Sequence, residues 1–180
     1  MASDKEAIII FWIKSGSGCK NADFGAFLKN MIRKLMEKDI QAVVEMMDRV
    51  FMDKIVSPKE LREEIRAVYM SEKFWKRKFS ECEIFADEEG GKFSAVGAYK
   101  GNEIDKLYVA ADSKGKGKGS LMLKFLEDTI RSNGHDNVFL YALLTAVGFY
   151  ENRGYHSEGD GEIELASGSI PTKLMRKNLE

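Results

Sequence analysis

The chain has 180 residues, of which 44% are hydrophobic and 32% are charged, and its formal net charge is −1. This length supports one well-buried core, and the composition is that of an ordinary soluble globular protein, with no indication of disorder. The balanced charge excludes a protein whose overall field attracts nucleic acid or a membrane, so any electrostatic recognition must be local.

Cysteine usage and the first apolar run both bear on location. Cys19 and Cys82 are too few for a disulfide framework, and they lack metal-ligand spacing with His135 or His156. The apolar run over residues 7–13 is too short to span a bilayer and lacks the features of a secretory leader. We therefore predict a cytoplasmic protein with free thiols, no bound metal and no membrane attachment.

Residues 1–30 contain an apolar strand pattern, AIIIFWI, followed by a glycine loop, KSGSGCKN. The loop fits neither nucleotide-binding template, because the last glycine of G-x-G-x-x-G is missing and no G-K-[ST] follows. We interpret residues 1–30 as an N-terminal extension, either an extra strand or an appended arm. Residues 31–180 are predicted to form a single domain.

The first core strand is predicted over residues 31–35, where apolar and polar side chains alternate. Asp39 is expected to cap the helix that follows, in which apolar side chains recur at three- and four-residue spacing. These side chains are Ile40, Val43, Val44, Met47, Val50 and Phe51. Ser57 and Pro58 mark the start of a second helix.

Residues 74–79, FWKRKF, interleave aromatic and basic side chains. Such a run can stack on bases and contact phosphates, but it is more often a solvated helix face with some rings turned inward. The neutral total charge favours the second interpretation. A nucleic-acid-associated protein is kept as an alternative.

Three strands are predicted next, over residues 82–86, 93–99 and 103–110, with a hairpin turn over residues 87–91. The remaining elements are predicted as a helix over 117–133, a strand over 137–142, a short helix over 145–152 and strands over 155–165 and 170–177. Strands grouped early and helices interspersed later predict a mixed α/β sheet with helices on both faces.

Residues 103–121, EIDKLYVAADSKGKGKGSL, combine a strand, a turn, alternating glycines and the start of an amphipathic helix. Gly115, Gly117 and Gly119 leave the backbone bare where the helix begins, so several amide N–H groups can point at one anion. The pattern predicts a pyrophosphate-binding loop. A flexible glycine-lysine surface loop is the alternative.

Two motifs in this part of the chain resemble signatures of the GNAT superfamily of N-acyltransferases. Residues 114–119 fit the acyl-coenzyme A signature Q/R-x-x-G-x-G/A, with Lys114 where the family prefers Gln or Arg. The second signature, A-x-x-F-Y-x-x-x-G-F/Y, is met by Ala146, Phe149, Tyr150, Gly154 and Tyr155. The motifs stand in the family order, and the resemblance covers residues 31–180.

The resemblance implies a mixed, mostly antiparallel central sheet with helices on both faces and a splay between the fourth and fifth core strands. It also implies acetyl-coenzyme A as acyl donor, with the pantetheine arm of the cofactor in the gap. The residues implied to pair with that arm are Leu107, Tyr108 and Val109. Those implied to hold the diphosphate are Lys114, Gly115, Lys116, Gly117, Lys118, Gly119 and Ser120.

Tyr150 is the candidate general acid, because the matching tyrosine of the family lies beside the thioester sulfur and a phenol can protonate a departing thiolate. The alternative for Tyr150 is an inner-face aromatic, a role that Phe149 fits better. Glu103 is the candidate general base, since it lies eleven residues before Lys114, as the catalytic glutamate does in the histone-acetylating branch. A solvated pair with Asp105, or ordered water as the base, is the alternative.

Three positions depart from the family pattern. Leu143 stands where relatives often have an asparagine that binds the cofactor arm, Ala111 replaces a common proline, and Lys114 replaces Gln or Arg. Acidic side chains alternate along the predicted strand near the end of the chain: Glu158, Asp160, Glu162 and Glu164. In the family this stretch can face the acceptor, so these carboxylates would favour a cationic amine. A solvated acidic hairpin is the alternative.

Together these features predict an N-acetyltransferase that moves an acetyl group from acetyl-coenzyme A to a primary amine by direct transfer in a ternary complex. The acceptor is a small molecule or a peptide amine, and no nucleic acid partner is expected. A non-catalytic coenzyme A-binding sensor or interaction module is the main alternative. The acceptor, the acyl length and the oligomeric state are left open, and a homodimer is one of the states considered.

Overall fold

One sheet of seven strands crosses the part of the chain that this computed structural model describes, residues 32–51 and 59–179. The strands are β1 (Ile32–Lys34), β2 (Glu83–Glu89), β3 (Lys92–Lys100), β4 (Glu103–Val109), β5 (Asn137–Leu143), β6 (His156–Leu165) and β7 (Gly168–Asn178). They lie in the order β1-β2-β3-β4-β5-β7-β6. All neighbours are antiparallel except β4 and β5, which are parallel, so the predicted mixed, mostly antiparallel sheet is confirmed.

Helices cover both faces of this sheet, as predicted. They are α1 (Ile40–Phe51), α2 (Lys59–Tyr69), α3 (Glu72–Glu81), α4 (Lys118–Ser132) and α5 (Val147–Glu151). Ala95 and Tyr99 of β3 are buried in a core with α4, whereas Val96 and Ala98 are buried in a second core with α1 and α3. Side chains alternate along a strand, so β3 faces a helix layer on each side. Within the described ranges, no helix combines the length and the apolar character that crossing a membrane requires.

Helix α1 begins at the predicted apolar repeat, but Asp39 acts differently from the expectation. A 3-10 turn, Glu37–Asp39, precedes the helix. The Asp39 carboxylate accepts hydrogen bonds from the backbone N–H of Met36 at 2.8 Å and from the Arg33 guanidinium at 3.0 and 3.1 Å. The prediction that Asp39 caps α1 is therefore wrong. Its carboxylate caps the 3-10 turn before α1 and does not accept from the first N–H groups of the helix.

Helix α2 begins at Lys59, close to the predicted start of the second helix. Ser57 and Pro58, the residues on which that prediction rested, lie outside the described residues. So does the predicted extension over residues 1–30, which stays a prediction.

Helix α3 contains the FWKRKF run. Trp75 is fully buried, and Phe74 and Phe79 pack against the same core. Each basic side chain has a carboxylate within 4 Å: Lys76 has Glu72, Arg77 has Glu81 and Lys78 has Asp105. The run is therefore a helix with its rings turned inward and its charge balanced locally, as the favoured interpretation held.

Strand β2 continues further than predicted. The turn expected over residues 87–91 shrinks to Gly90 and Gly91, whose φ angles are 59° and 76°. Positive φ at both central residues is typical of a two-residue hairpin turn. As a result Asp87 becomes a fully buried strand residue instead of a solvated turn residue.

Strands β4 and β5 separate after a single pair, Glu103 with Phe139. The Phe139 N–H donates to the carbonyl oxygen of Asn102 at 3.1 Å, and the Asn102 and Asn137 side chains hydrogen-bond at 2.9 Å. From there β5 pairs with β7 along its whole length. The predicted splay between the fourth and fifth strands is present, and it leaves backbone groups of β4 without a strand partner on that side.

Gly97 allows α4 to lie directly on β3. A Cβ atom at this position would lie 2.8 Å from Sδ of Met122 and 2.9 Å from Cδ1 of Leu126. Both distances are shorter than atoms in contact tolerate. The helix that follows the glycine-rich loop is thus held against the middle of the sheet.

Candidate active site

The segment between β4 and α4 forms the predicted glycine-rich loop. A 3-10 turn, Ala111–Ser113, follows β4, and Gly117 occupies the position before the first residue of α4. Gly115 and Gly117 have φ angles of 73° and 77°. This left-handed backbone favours glycine, which accounts for two of the three alternating glycines.

The third glycine, Gly119, is needed for close packing. A Cβ atom there would lie 3.2 Å from Cγ2 of Val109 and 3.5 Å from the ring of Phe149. The first turn of α4 therefore rests on the end of β4 and on α5.

Six consecutive backbone N–H groups, those of residues 115–120, are open in this loop. None of them donates a hydrogen bond to another described residue, and the first helical bond runs from Leu121 N–H to Gly117 O at 3.0 Å. Unpaired N–H groups and the positive end of a helix dipole together favour an anion. The Lys114 and Lys116 side chains beside them are exposed. The loop therefore has the donors that a diphosphate requires.

The ammonium group of Lys118 is already paired with carboxylates. Its Nζ lies 2.8 Å from Asp87 Oδ2 and 2.9 Å from Glu89 Oε2, and Ser94 Oγ donates to the same Asp87 oxygen. Burial opposes the charged form of Lys118, but the hydrogen bonds to these carboxylates outweigh it and raise its pKa. Lys118 thus ties the start of α4 to β2, and its charge is balanced within the protein.

Arg153, just after α5, contacts the loop from the other side. Its Nε donates to Ser120 Oγ at 3.2 Å and its Nη2 donates to the same oxygen, while Nη1 donates to the carbonyl oxygen of Phe149 at 2.6 Å. The guanidinium also stacks on the Phe149 ring, with Cζ 3.7 Å from the ring centroid. Arg153 lies inside the second motif, between Tyr150 and Gly154, but the motif leaves its position unspecified, so the residue was not predicted.

Tyr150 lies on α5 and is only 8% exposed. Its ring makes edge contacts with Tyr155 and Phe149, at centroid distances of 5.5 and 5.0 Å. Its hydroxyl makes no hydrogen bond to any described residue. Burial raises the pKa of Tyr150 well above 10, and the positive charge of Arg153 opposes that rise. The phenol is therefore protonated at neutral pH and retains a proton to donate.

The residues predicted to pair with the pantetheine arm lie where β4 has left β5. Leu107 and Val109 pack in the core with α4. Tyr108 packs on the opposite face, where its ring makes an edge contact with the ring of Tyr69 at a centroid distance of 5.9 Å. Burial raises the pKa of Tyr108, and Tyr69 adds to the rise. The side chains of Leu107, Tyr108 and Val109 are therefore engaged in packing, which leaves the β4 backbone as the part that faces the gap.

A β-bulge marks the middle of β4. Ile104 and Lys106 both have partners in β3, and Asp105 is the extra residue between them. Its carboxylate lies 2.9 Å from Lys78 Nζ and 3.1 Å from Lys106 Nζ. Burial alone would raise the pKa of Asp105, but Lys106 and Lys78 outweigh it and hold the pKa below its usual range. Asp105 is therefore engaged as a link between β4 and α3.

Glu103 lies at the opposite end of β4 from the glycine-rich loop. It is the first of seven residues in the strand, so about 20 Å of backbone separates it from Val109. It stands at the single pair that joins β4 to β5. Its role as general base stays a prediction.

The acidic side chains near the last strands are partly paired. Glu158 lies 2.8 Å from Arg176, and Asp160 forms an ion pair with Lys173. These pairs fit the solvated hairpin better than a surface reserved for a cationic acceptor.

Comparison with known families and structures gives a consistent result. The sequence matches the family described as Acetyltransferase (GNAT) domain over residues 32–166. No curated protein matches it.

Solved structures share the fold. A GCN5-related N-acetyltransferase from Rhodopseudomonas palustris has a TM-score of 0.72 at 21% identity, with 82% of this chain and 94% of that chain covered. The PaiA N-acetyltransferase from Thermoplasma acidophilum, in complex with coenzyme A, has a TM-score of 0.67 at 19% identity, with 82% and 97% covered. The ribosomal-protein-S18-alanine N-acetyltransferase from Escherichia coli has a TM-score of 0.63 at 18% identity, with 83% and 93% covered.

Proposed function

The chain belongs to the GNAT family of acetyltransferases, and on that premise we propose that it transfers an acetyl group from acetyl-coenzyme A to a primary amine by direct transfer in a ternary complex. The acceptor is a small molecule or a peptide amine. The observation that carries the proposal is the row of six open N–H groups at residues 115–120, beside the gap between β4 and β5. The open N–H groups can bind the diphosphate of the cofactor, and the gap can hold its amide-rich pantetheine arm.

The residues take separate parts in this proposal. Residues 115–120 bind the diphosphate through backbone N–H groups, and the backbone of Leu107, Tyr108 and Val109 binds the pantetheine amides. Acetyl-coenzyme A supplies an activated acetyl thioester when bound. Tyr150 donates its phenol proton to the sulfur as the C–S bond breaks, and Glu103 or ordered water takes the proton that the amine loses as the C–N bond forms.

Ligand-dependent thermal unfolding tests the cofactor part of the proposal. Binding to the folded state alone stabilises it, so a ligand at one hundred times its Kd is expected to raise the Tm by about 5–10 °C. We expect acetyl-coenzyme A and coenzyme A to do so, and adenosine monophosphate to do less. An unchanged Tm with both thioester and free thiol contradicts a coenzyme A site.

Thiol release tests the chemical part. A panel of small amines and peptides is added with acetyl-coenzyme A, and free coenzyme A is measured with a thiol reagent. Acceleration over the amine-free rate by at least one amine, with the acetylated amine found by mass spectrometry, is the expected result.

A coenzyme A-binding sensor is the second candidate, and Leu143 favours it. Leu143 is 39% exposed at the end of β5, where relatives often have an asparagine that holds the cofactor arm. The sensor predicts thermal stabilisation by coenzyme A without thiol release for any amine. That combination of results decides for the second candidate and against the first.

A further inference from the structure

The hydrogen bonds between Arg153 and Ser120 fix the direction of one hydroxyl. A serine hydroxyl has two acceptor lone pairs and one proton to donate. Nε and Nη2 of Arg153 both donate to Ser120 Oγ, so they occupy its acceptor capacity. The remaining function of that oxygen is to donate its own proton.

The Ser120 hydroxyl lies where an anion bound at the start of α4 could accept its hydrogen bond. Ser120 is the third residue of α4, next to the open N–H groups of Lys118 and Gly119. A hydroxyl that can only donate, placed among amides that can only donate, adds one more hydrogen bond to an anion at the helix start.

The charge of Arg153 is also uncompensated within the described part of the chain. Lys118, one of the three lysines predicted to add charge to the loop, is neutralised by Asp87 and Glu89. Arg153 makes its polar contacts with a hydroxyl and a backbone carbonyl, and no carboxylate of the described residues forms an ion pair with it. A half-buried guanidinium without a counter-ion favours an anion nearby.

We infer that Arg153 is a positioning residue for the diphosphate of the cofactor: it holds Ser120 so that the hydroxyl donates to the anion, and it supplies positive charge that Lys118 does not. This inference rests on the proposed function. It assigns a specific role to a position that the family motif leaves open.

A purely structural role makes a different prediction. Arg153 also donates to the Phe149 carbonyl and stacks on the Phe149 ring, which packs against Gly119. If these contacts were its whole purpose, its loss would lower stability and weaken all ligands of the site equally. A diphosphate-positioning role weakens only ligands that carry the diphosphate.

The experiment compares coenzyme A with pantetheine, which lacks the diphosphate, by calorimetric titration of the full chain. We expect Arg153→Met to weaken coenzyme A binding about tenfold and to leave pantetheine binding within twofold of the wild type. With a competent amine, the KM for acetyl-coenzyme A should rise while kcat changes little. Arg131→Met, at the other end of α4, removes the same charge as a control and should change neither affinity.

Two more variants keep the inference testable if Arg153→Met folds poorly. Ser120→Ala should show the same selective loss, and the double variant should lose no more than the larger single loss, because the two residues act through one hydrogen bond. Arg153→Lys keeps the charge but not the planar fork and should recover part of the affinity.

The contrary outcomes are distinct. Equal weakening of coenzyme A and pantetheine, or unchanged coenzyme A binding by a folded Arg153→Met, overturns the role of Arg153 while leaving the proposed function intact. Full recovery by Arg153→Lys assigns the effect to charge alone and overturns the positioning role. No coenzyme A binding by the wild-type protein overturns the proposed function itself.

Discussion

At the scale of single residues, the Tyr150 side chain combines a structural role for its ring with a proposed chemical role for its hydroxyl. Its ring fills the core between Phe149 and Tyr155, and its hydroxyl finds no hydrogen-bond partner in the described residues. The ring is buried, but the hydroxyl oxygen is not one of the fully enclosed atoms that lack a partner. A hydroxyl at the edge of the core can reach a bound ligand, and donating a proton to the departing thiolate is its function in our proposal.

We expect Tyr150→Phe to lower kcat about a hundredfold, because it removes the proton donor and keeps the ring. The KM for acetyl-coenzyme A and the Tm should stay close to the wild-type values. Steady-state thiol release and thermal unfolding measure all three quantities. Tyr155→Phe, which removes a hydroxyl from the neighbouring ring, is the matched control, and an equal loss of kcat in both variants would contradict a specific role for Tyr150.

At the scale of elements, the contact between β3 and α4 places the glycine-rich loop. Gly97 has no side chain, so Met122 and Leu126 approach the strand backbone directly. The same helix starts at Gly117 and rests through Gly119 on Val109. The depth at which α4 lies on the sheet therefore sets the position of the open N–H groups.

Gly97→Ala should lower the free energy of unfolding by about 1–3 kcal/mol, since the new methyl group overlaps two buried side chains. Urea unfolding at constant pH measures the change. Gly148→Ala is the control, because a Cβ atom at that helical position meets no atom within 4 Å; it should be neutral or slightly stabilising. Met122→Ala combined with Gly97→Ala should cost less than the sum of the single losses, and strict additivity would argue against the overlap.

At the scale of the whole molecule, the ion pair of Asp105 with Lys78 joins helix α3 to the bulge of β4. The folded-state pKa of Asp105 is below its ordinary value, because Lys106 and Lys78 outweigh burial. A carboxyl group with a lowered pKa contributes stability above the unfolded pKa near 3.9, and that contribution is lost as the pH falls through the folded pKa.

Asp105→Asn should therefore lower the free energy of unfolding by about 1–3 kcal/mol at pH 7, where it leaves two lysines without their carboxylate. The difference from the wild type should shrink between pH 5 and pH 2. Urea unfolding across this range checks both statements. Asp128→Asn, which breaks the two exposed ion pairs of Asp128 with Lys124 and Arg131 on α4, should cost less than about 1 kcal/mol. A difference that persists at pH 2 would show that Asp105 acts through something other than its charge.

Much of this architecture was predictable because its signals are local. The alternation of β3, the repeat of α1 and the glycines before α4 each depend on residues close together in the chain, and the structure contains these elements with small shifts at their ends. The prediction that Asp39 caps α1 was wrong, because the Asp39 carboxylate accepts hydrogen bonds from Arg33 and from the Met36 N–H instead.

The details that position the site were not predictable from local patterns. The pairing of Lys118 with Asp87 depends on a tight hairpin that buries Asp87, and the contact of Arg153 with Ser120 joins residues that only the fold brings together. The bulge at Asp105 depends on the register of β4 against β3, which has no one-residue signature. The motifs therefore identify the loop whose backbone forms the site, but not the side chains that pack around that loop.

The splay between β4 and β5 also has a consequence for folding. Strands β1 to β4 pair with neighbours that are near in sequence or joined by helices, strands β5 to β7 pair only among themselves, and one pair links the two groups. The loop that this pair closes, from Glu103 to Phe139, is shorter than the loop that closes when β1 pairs with β2, from Ile32 to Asp87, so loop length does not set this junction apart. What sets it apart is that so little backbone pairing joins the two groups. During folding they therefore come together mainly through the apolar core that both share with α4.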